Sequence, residues 1–163
     1  MIDIVDENDN VLGSIGKDDS YKQGLRRRIV NIAVIDPVTK KIAVQLRGDN
    51  VSWQPGHYCI SACGHVSAGE DWEPGAAREL SEELNVTASL KFIDKFPFTD
   101  EFGQDFILGV YAASVPHDTL RGHTHEVGKI LSLDKSEIQV LISKGDKLHN
   151  LFVSVIEKLL ETL

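Results

Sequence analysis

The chain has 163 residues, 25 Asp and Glu against 17 Lys and Arg, and a formal net charge of −8. That balance excludes a general nucleic-acid surface, which needs a basic footprint, but not a small anionic substrate held through a cation. With 42% hydrophobic and 26% charged residues and no apolar run of about eighteen residues, one globular domain over residues 1–163 and no membrane span are expected. The opening MIDIVDENDN is acidic and lacks a basic-then-apolar leader pattern, so a cytoplasmic protein is expected.

In chain order, Ile2, Ile4 and Val5, then Glu7 to Asn10, then Val11 and Leu12 read as a short hairpin. Arg26 to Ile35 is β-branched and apolar, which predicts a central strand. Asp36-Pro37 breaks it, and Lys41 to Leu46 returns as its partner. Gly48 to Gly56 reads as a loop, and His57 to Ala62 as a strand. A helix follows, with Asp71 as N-cap, Pro74 in its first turn, and Ala77, Leu80 and Leu84 as its core face. Ser89 to Phe98, Phe106 to Ala113 and Lys129 to Leu133 read as strands, Lys135 to Ser143 as a helix begun by Asp134, and Leu148 to Leu163 as helical. The two cysteines, Cys59 and Cys63, have no zinc-site pattern around them and read as reduced thiols. Mixed strands with one helix in the middle and another at the end predict an α+β sandwich.

The chemistry concentrates between Gly64 and Val86, GHVSAGEDWEPGAARELSEELNV. Glu79, Glu82 and Glu83 stand at i, i+3 and i+4, on one face of a helix. Carboxylates crowded in this way repel one another unless a cation joins them, and hard divalent cations take oxygen ligands. Magnesium so held most often works on phosphates.

This stretch resembles the Nudix box: G, five residues, E, seven residues, REUxEExGU, with U aliphatic. Gly64, Glu70, Arg78-Glu79-Leu80, Glu82-Glu83-Leu84 and Val86 match, and Asn85 stands where the family has glycine. Asn tolerates the left-handed backbone expected just past the helix end, so the cap is expected to survive. The resemblance implies an α/β/α sandwich around a mixed sheet and hydrolysis of a diphosphate bond, with a nucleoside di- or triphosphate as the substrate expected here. It implies Mg²⁺ or Mn²⁺ on Glu82 and Glu83. Glu79 is then a ligand or orients water, and Arg78 holds the carboxylates. Glu70 is that arginine's partner or a further metal contact. The general base varies within the family; later candidates here are Glu101, Asp105 and Glu126. No nucleic-acid or membrane partner is expected, and a homodimer is a candidate assembly.

The chain also resembles Nudix proteins related to isopentenyl-diphosphate isomerase, through VDENDNVLG, WQPGHY, SACGHVSAGE and HEVGKILSLDKSEI. Cys63 and His65 match that group's proton-transfer cysteine and one metal histidine, which makes an isomerase the rival reading. Asp19 to Arg28 lacks the two further metal histidines of the isomerases, and the box here is fuller than theirs. The backbone carbonyl of Cys63 remains a candidate metal contact. Arg26 and Arg28, on one strand face, and Arg47 are candidate phosphate ligands. Trp53, Tyr58 and Phe102 are candidate stacking residues. His123 and His125 precede Glu126 in a pattern too weak to name as a metal site.

Overall fold

In the computed structural model, which describes residues 1–122, 124–145 and 147–162, strand β3 (Arg27–Ile35) organises the sheet. It runs parallel to β8 (Asp105–Ser114) over its whole length and antiparallel to β6 (Ala62–His65). The N-terminal hairpin β1 (Ile2–Val5) and β2 (Val11–Ile15) joins at Ile4↔Arg27. On the other flank, β4 (Ile42–Arg47) touches β3 only at Ile35↔Ile42. Its long partner is β9 (Val127–Leu133), and it also pairs with the short β5 (Tyr58–Cys59). The antiparallel β7 (Leu90–Thr99) completes the mixed sheet beside β8.

Alternation along β3 sorts the core into two layers. Val30, Ile32 and Val34 pack with Ala76, Leu80 and Leu84 of α2 (Trp72–Leu84). Ile29 and Ala33 face Val155, Ile156 and Leu159 of α4 (Phe152–Leu160), together with Ile138 of α3 (Lys135–Lys144). Helices on both faces of a mixed sheet make the α/β/α sandwich expected from the sequence. Asp134 begins α3 with a reciprocal capping box to Glu137.

Several local expectations need correction. Lys17–Lys22 forms a short helix, α1, where none was expected; six residues are too few for a hydrophobic period to show. The strand expected over His57 to Ala62 is broken at Ile60 and Ser61. Lys41 to Leu46 is a hairpin partner of β3 at one register position only. Ala77 is exposed and Ala76 buried, because the apolar stripe of α2 steps back by four from Leu80. His123 and Leu163 lie outside the described residues.

Candidate active site

The residues from Gly64 to Val86 fold as a strand end, a loop and α2. Asp71 takes the N-cap position in extended conformation without a side-chain cap bond. Asn85 ends the helix left-handed, at φ 54° and ψ 41°, and donates its N–H to the Ser81 carbonyl. Gly64 leaves room for the Glu79 carboxylate, which a Cβ at 64 would push out of its present place.

Arg78 is the hub of the acidic face. Its Nε and Nη2 donate to the two oxygens of Glu70 at 3.0 and 2.9 Å. Nη1 donates to Glu79 at 2.6 Å and to Glu82 at 3.3 Å, while Nη2 also donates to the His65 carbonyl at 2.9 Å. This paired geometry holds the Glu70 carboxyl below its usual range. Glu79 moves the other way: burial raises it, and Glu82 and Glu126 add like charge, against the pull of Arg78.

Glu83 lies on the buried face of the same helix, where burial pushes its carboxyl up to about 8. Its short contact is a 2.6 Å hydrogen bond from Nε2 of Gln45, whose amide also reaches the Ser61 carbonyl at 3.3 Å. Gln45 shares its strand face with Ala43 in the α2-side core, which brings it to Glu83. The Cys63 N–H approaches the other Glu83 oxygen at 3.4 Å.

Glu79 and Glu82 open onto a cavity of about 550 Å³. Of the other residues singled out in the sequence, Arg47, Trp53, Cys63, Gly64, His65 and Glu126 also line it. Glu126 arrives because Gly48 lets the chain pass closely; a Cβ at 48 would overlap the His125 carbonyl, and the Gly48 N–H donates to the Glu126 carbonyl at 2.8 Å. Glu70 and Arg78 stand behind this wall, and Glu83 is buried beneath it.

Arg26 and Arg28 are not brought to the cavity. Arg26 pairs with Asp105 at 3.4 Å, and Arg28 with Asp9 of the N-terminal hairpin at 2.6 Å. Of the base candidates, Asp105 is thereby occupied by Arg26, and Glu101 is an exposed loop residue. Tyr58 is half-buried against the α4-side core, and Phe102 meets Trp53 edge-on with ring centroids 5.1 Å apart.

The sequence reading missed Lys17, Tyr21, Gln45, Asp100, His149 and Asn150. Only Gln45 carried a signal, as a polar residue inside the apolar run IAVQL. Tyr21 and His65 share a 3.2 Å hydrogen bond within the cavity wall. Burial, with Lys17 and Arg27 nearby, lowers His65 to about 3, so its ring is neutral. The Cys59 and Cys63 sulfurs lie 3.4 Å apart; that shared hydrogen bond and burial push the Cys63 thiol well up.

The donor chemistry fits a hard divalent cation, since Glu79, Glu82 and Glu126 at the cavity and Glu83 beneath it offer carboxylate oxygens. The Glu83 carboxyl, raised by burial, would be relieved by one. Among the described residues no three His, Cys, Asp or Glu side chains are already gathered as a ligand shell. Arg78 instead holds Glu79 and Glu82.

A family model described as NUDIX domain matches residues 25–150. The chain is 35% identical over 117 residues to an uncharacterized Nudix hydrolase of Streptomyces coelicolor, covering 71% of this chain and 64% of that protein. It is 34% identical over 93 residues to isopentenyl-diphosphate Delta-isomerase 2 of Photorhabdus laumondii, covering 57% and 52%. The chain therefore spans about half to two thirds of the length of these relatives. A crystal structure of a Deinococcus radiodurans protein superposes with a TM-score of 0.78 at 24% identity, covering 92% of this chain and 93% of that one.

Proposed function

We propose a function from one established premise: the chain belongs to the NUDIX domain family. Acting as one Nudix domain over residues 1–163, it is a metal-dependent hydrolase. It cleaves a diphosphate bond in a nucleoside diphosphate derivative, with nucleoside di- and triphosphates as the preferred candidates. The observation that carries this reading is the convergence of Glu79, Glu82 and Glu126 on one cavity, with Lys17 and Arg47 in the same wall.

Glu79, Glu82 and Glu83 would hold Mg²⁺ or Mn²⁺, with the Cys63 carbonyl as a further oxygen. When bound, the cation neutralises the diphosphate oxygens and makes water a better nucleophile. Among the described residues, neither Lys17 nor Arg47 has a carboxylate within ion-pair distance, so both are available to phosphate oxygens. Arg78 holds Glu79 and Glu82 in place and Glu70 anchors Arg78, so neither of these two need touch the substrate. Glu126 is the base that takes the proton from the attacking water, because it alone of the later candidates lines the cavity. Replacing Glu82 or Glu83 by Gln tests the assignment. Metal-dependent turnover is expected to vanish with the circular dichroism spectrum unchanged, and undiminished turnover in both variants overturns it.

An isomerase is the second reading, favoured by the presence of Cys63 and His65 in the same wall. Two observations weigh against it: the Cys63 thiol is held well above its ordinary range, and His65 is hydrogen-bonded to Tyr21. Loss of all activity in Cys63→Ala, with isopentenyl diphosphate rearranged and not hydrolysed by the parent protein, would establish the isomerase.

A further inference from the structure

One corner of the cavity is built from acceptors. Asp100 lies at the end of β7, is buried, and lines the cavity together with Asn150. Its Oδ1 already accepts from the Phe102 and Gln104 backbone N–H groups, at 2.9 and 2.8 Å. Its Oδ2 accepts from Asn150 Nδ2 at 2.6 Å. That contact fixes the amide orientation, because a carboxylate offers nothing for an amide oxygen to accept. Asn150 Oδ1 is therefore the free end of the amide, and it is buried with no donor. Asp100 Oδ2 has one further acceptor position beside it. The corner holds two adjacent unfilled acceptors, and the Asn150 amide N–H that reaches Asp100 is spent within the pair.

A buried acceptor without a donor is costly, so such a corner calls for N–H or O–H groups from a ligand. A phosphate does not belong there, since it brings further acceptors and negative charge against Asp100. The phosphate end goes instead to the part of the cavity lined by His65 and Cys63, whose lining also includes Lys17 and Arg47. The flanking surface suits a flat ring. Trp53 is 43% exposed in the cavity wall, and its neighbour Gln54 accepts the Asn150 backbone N–H at 3.1 Å.

Resting on the hydrolase reading above, we infer that Asn150, backed by Asp100, is a specificity-determining residue that selects nucleotides whose base carries an exocyclic amino group. An amino group supplies N–H donors to both acceptors. In the same pose the corresponding oxo base turns an oxygen toward them, and its one neighbouring ring N–H can serve at most one of the two. A prenyl chain has no donors and leaves both unpaired.

The test compares substrates that differ only by amino against oxo: CDP with UDP, and ADP with IDP. In the parent protein kcat/KM is expected to favour the amino member by about tenfold or more. In Asn150→Ala the ratio is expected to fall below about threefold, mainly through the amino substrate, a selective change that loosened structure would not produce. A ratio near one in the parent protein overturns the inference, as does a ratio unchanged in the variant. Discrimination between ribose and deoxyribose without any between amino and oxo also overturns it, by assigning the corner to a sugar hydroxyl. Equilibrium binding of CMP against UMP to the parent protein separates the two readings. Preference in binding with no nucleotide turnover keeps the base selection and removes the hydrolase; turnover without preference in either measurement does the reverse.

Discussion

The two sides of the cavity are built in opposite ways. Apart from Glu126, the carboxylate wall comes from one continuous stretch, Gly64 to Glu83, in which a single arginine ties Glu70, Glu79 and Glu82 together. The remaining rim is assembled from Lys17 and Tyr21, the Arg47–Trp53 loop, Asp100, and the segment His149 to Leu151. Chemistry that needs charges at fixed spacing can be supplied by one helix face. Recognition of a particular leaving group draws on loops far apart in the chain, where substitution disturbs the core least.

If that division is right, the largest losses follow from changes in the wall. Glu83→Gln is expected to lower metal-dependent kcat by on the order of 10³-fold, read in a steady-state assay with Mg²⁺. Glu126→Gln should cost about 10²-fold, and it should remove an acid limb from the kcat/KM–pH profile that Glu101→Gln leaves in place. Gln45→Leu keeps the volume but withdraws the hydrogen bond to Glu83. A loss of about tenfold in metal affinity is expected, measured by titrating Mn²⁺, as for other partners that orient a ligand without touching the metal. Beside the wall, Cys63→Ala is expected to change kcat by less than about threefold if a thiol hydrogen bond to Cys59 is all that is lost. A collapse of activity in that variant would make Cys63 a proton-transfer group.

The buried wall also has a pH signature. The folded Glu83 carboxyl titrates near 8, above the ordinary 4.5 of an unfolded chain. The folded state therefore binds the extra proton between those values, and its contribution to stability is full below about 4.5 and lost as pH rises through about 8. Without divalent metal, the melting temperature is expected to fall between pH 6 and pH 8. Glu83→Gln should flatten that slope, and saturating Mg²⁺ should raise the pH 8 value by mass action. A slope of the same size in the variant would place the titrating group elsewhere.

What the sequence revealed follows the same division. The wall was legible because its pattern is local: Glu79, Glu82 and Glu83 share a face through helical geometry alone, and Asn85 takes the left-handed cap its chemistry permits. The sandwich was legible from the order of strands and helices. Arg26 and Arg28 looked free in the sequence, yet they meet Asp105 and Asp9, partners set by strand register and hairpin folding. Alternation alone does not reveal such partners. Asn150 had no signal at all, since its meaning depends on Asp100, fifty residues away.

The most direct test of the central claim is phosphorus NMR of the parent protein and Glu83→Gln with Mg²⁺ or Mn²⁺. The panel holds nucleoside di- and triphosphates, dinucleotides, nucleotide sugars and isopentenyl diphosphate. A nucleotide split to a monophosphate by the parent and left intact by the variant is the expected result. Isopentenyl diphosphate rearranged without phosphate release, with every nucleotide untouched, would contradict the account and move the chemistry from the carboxylate wall to Cys63.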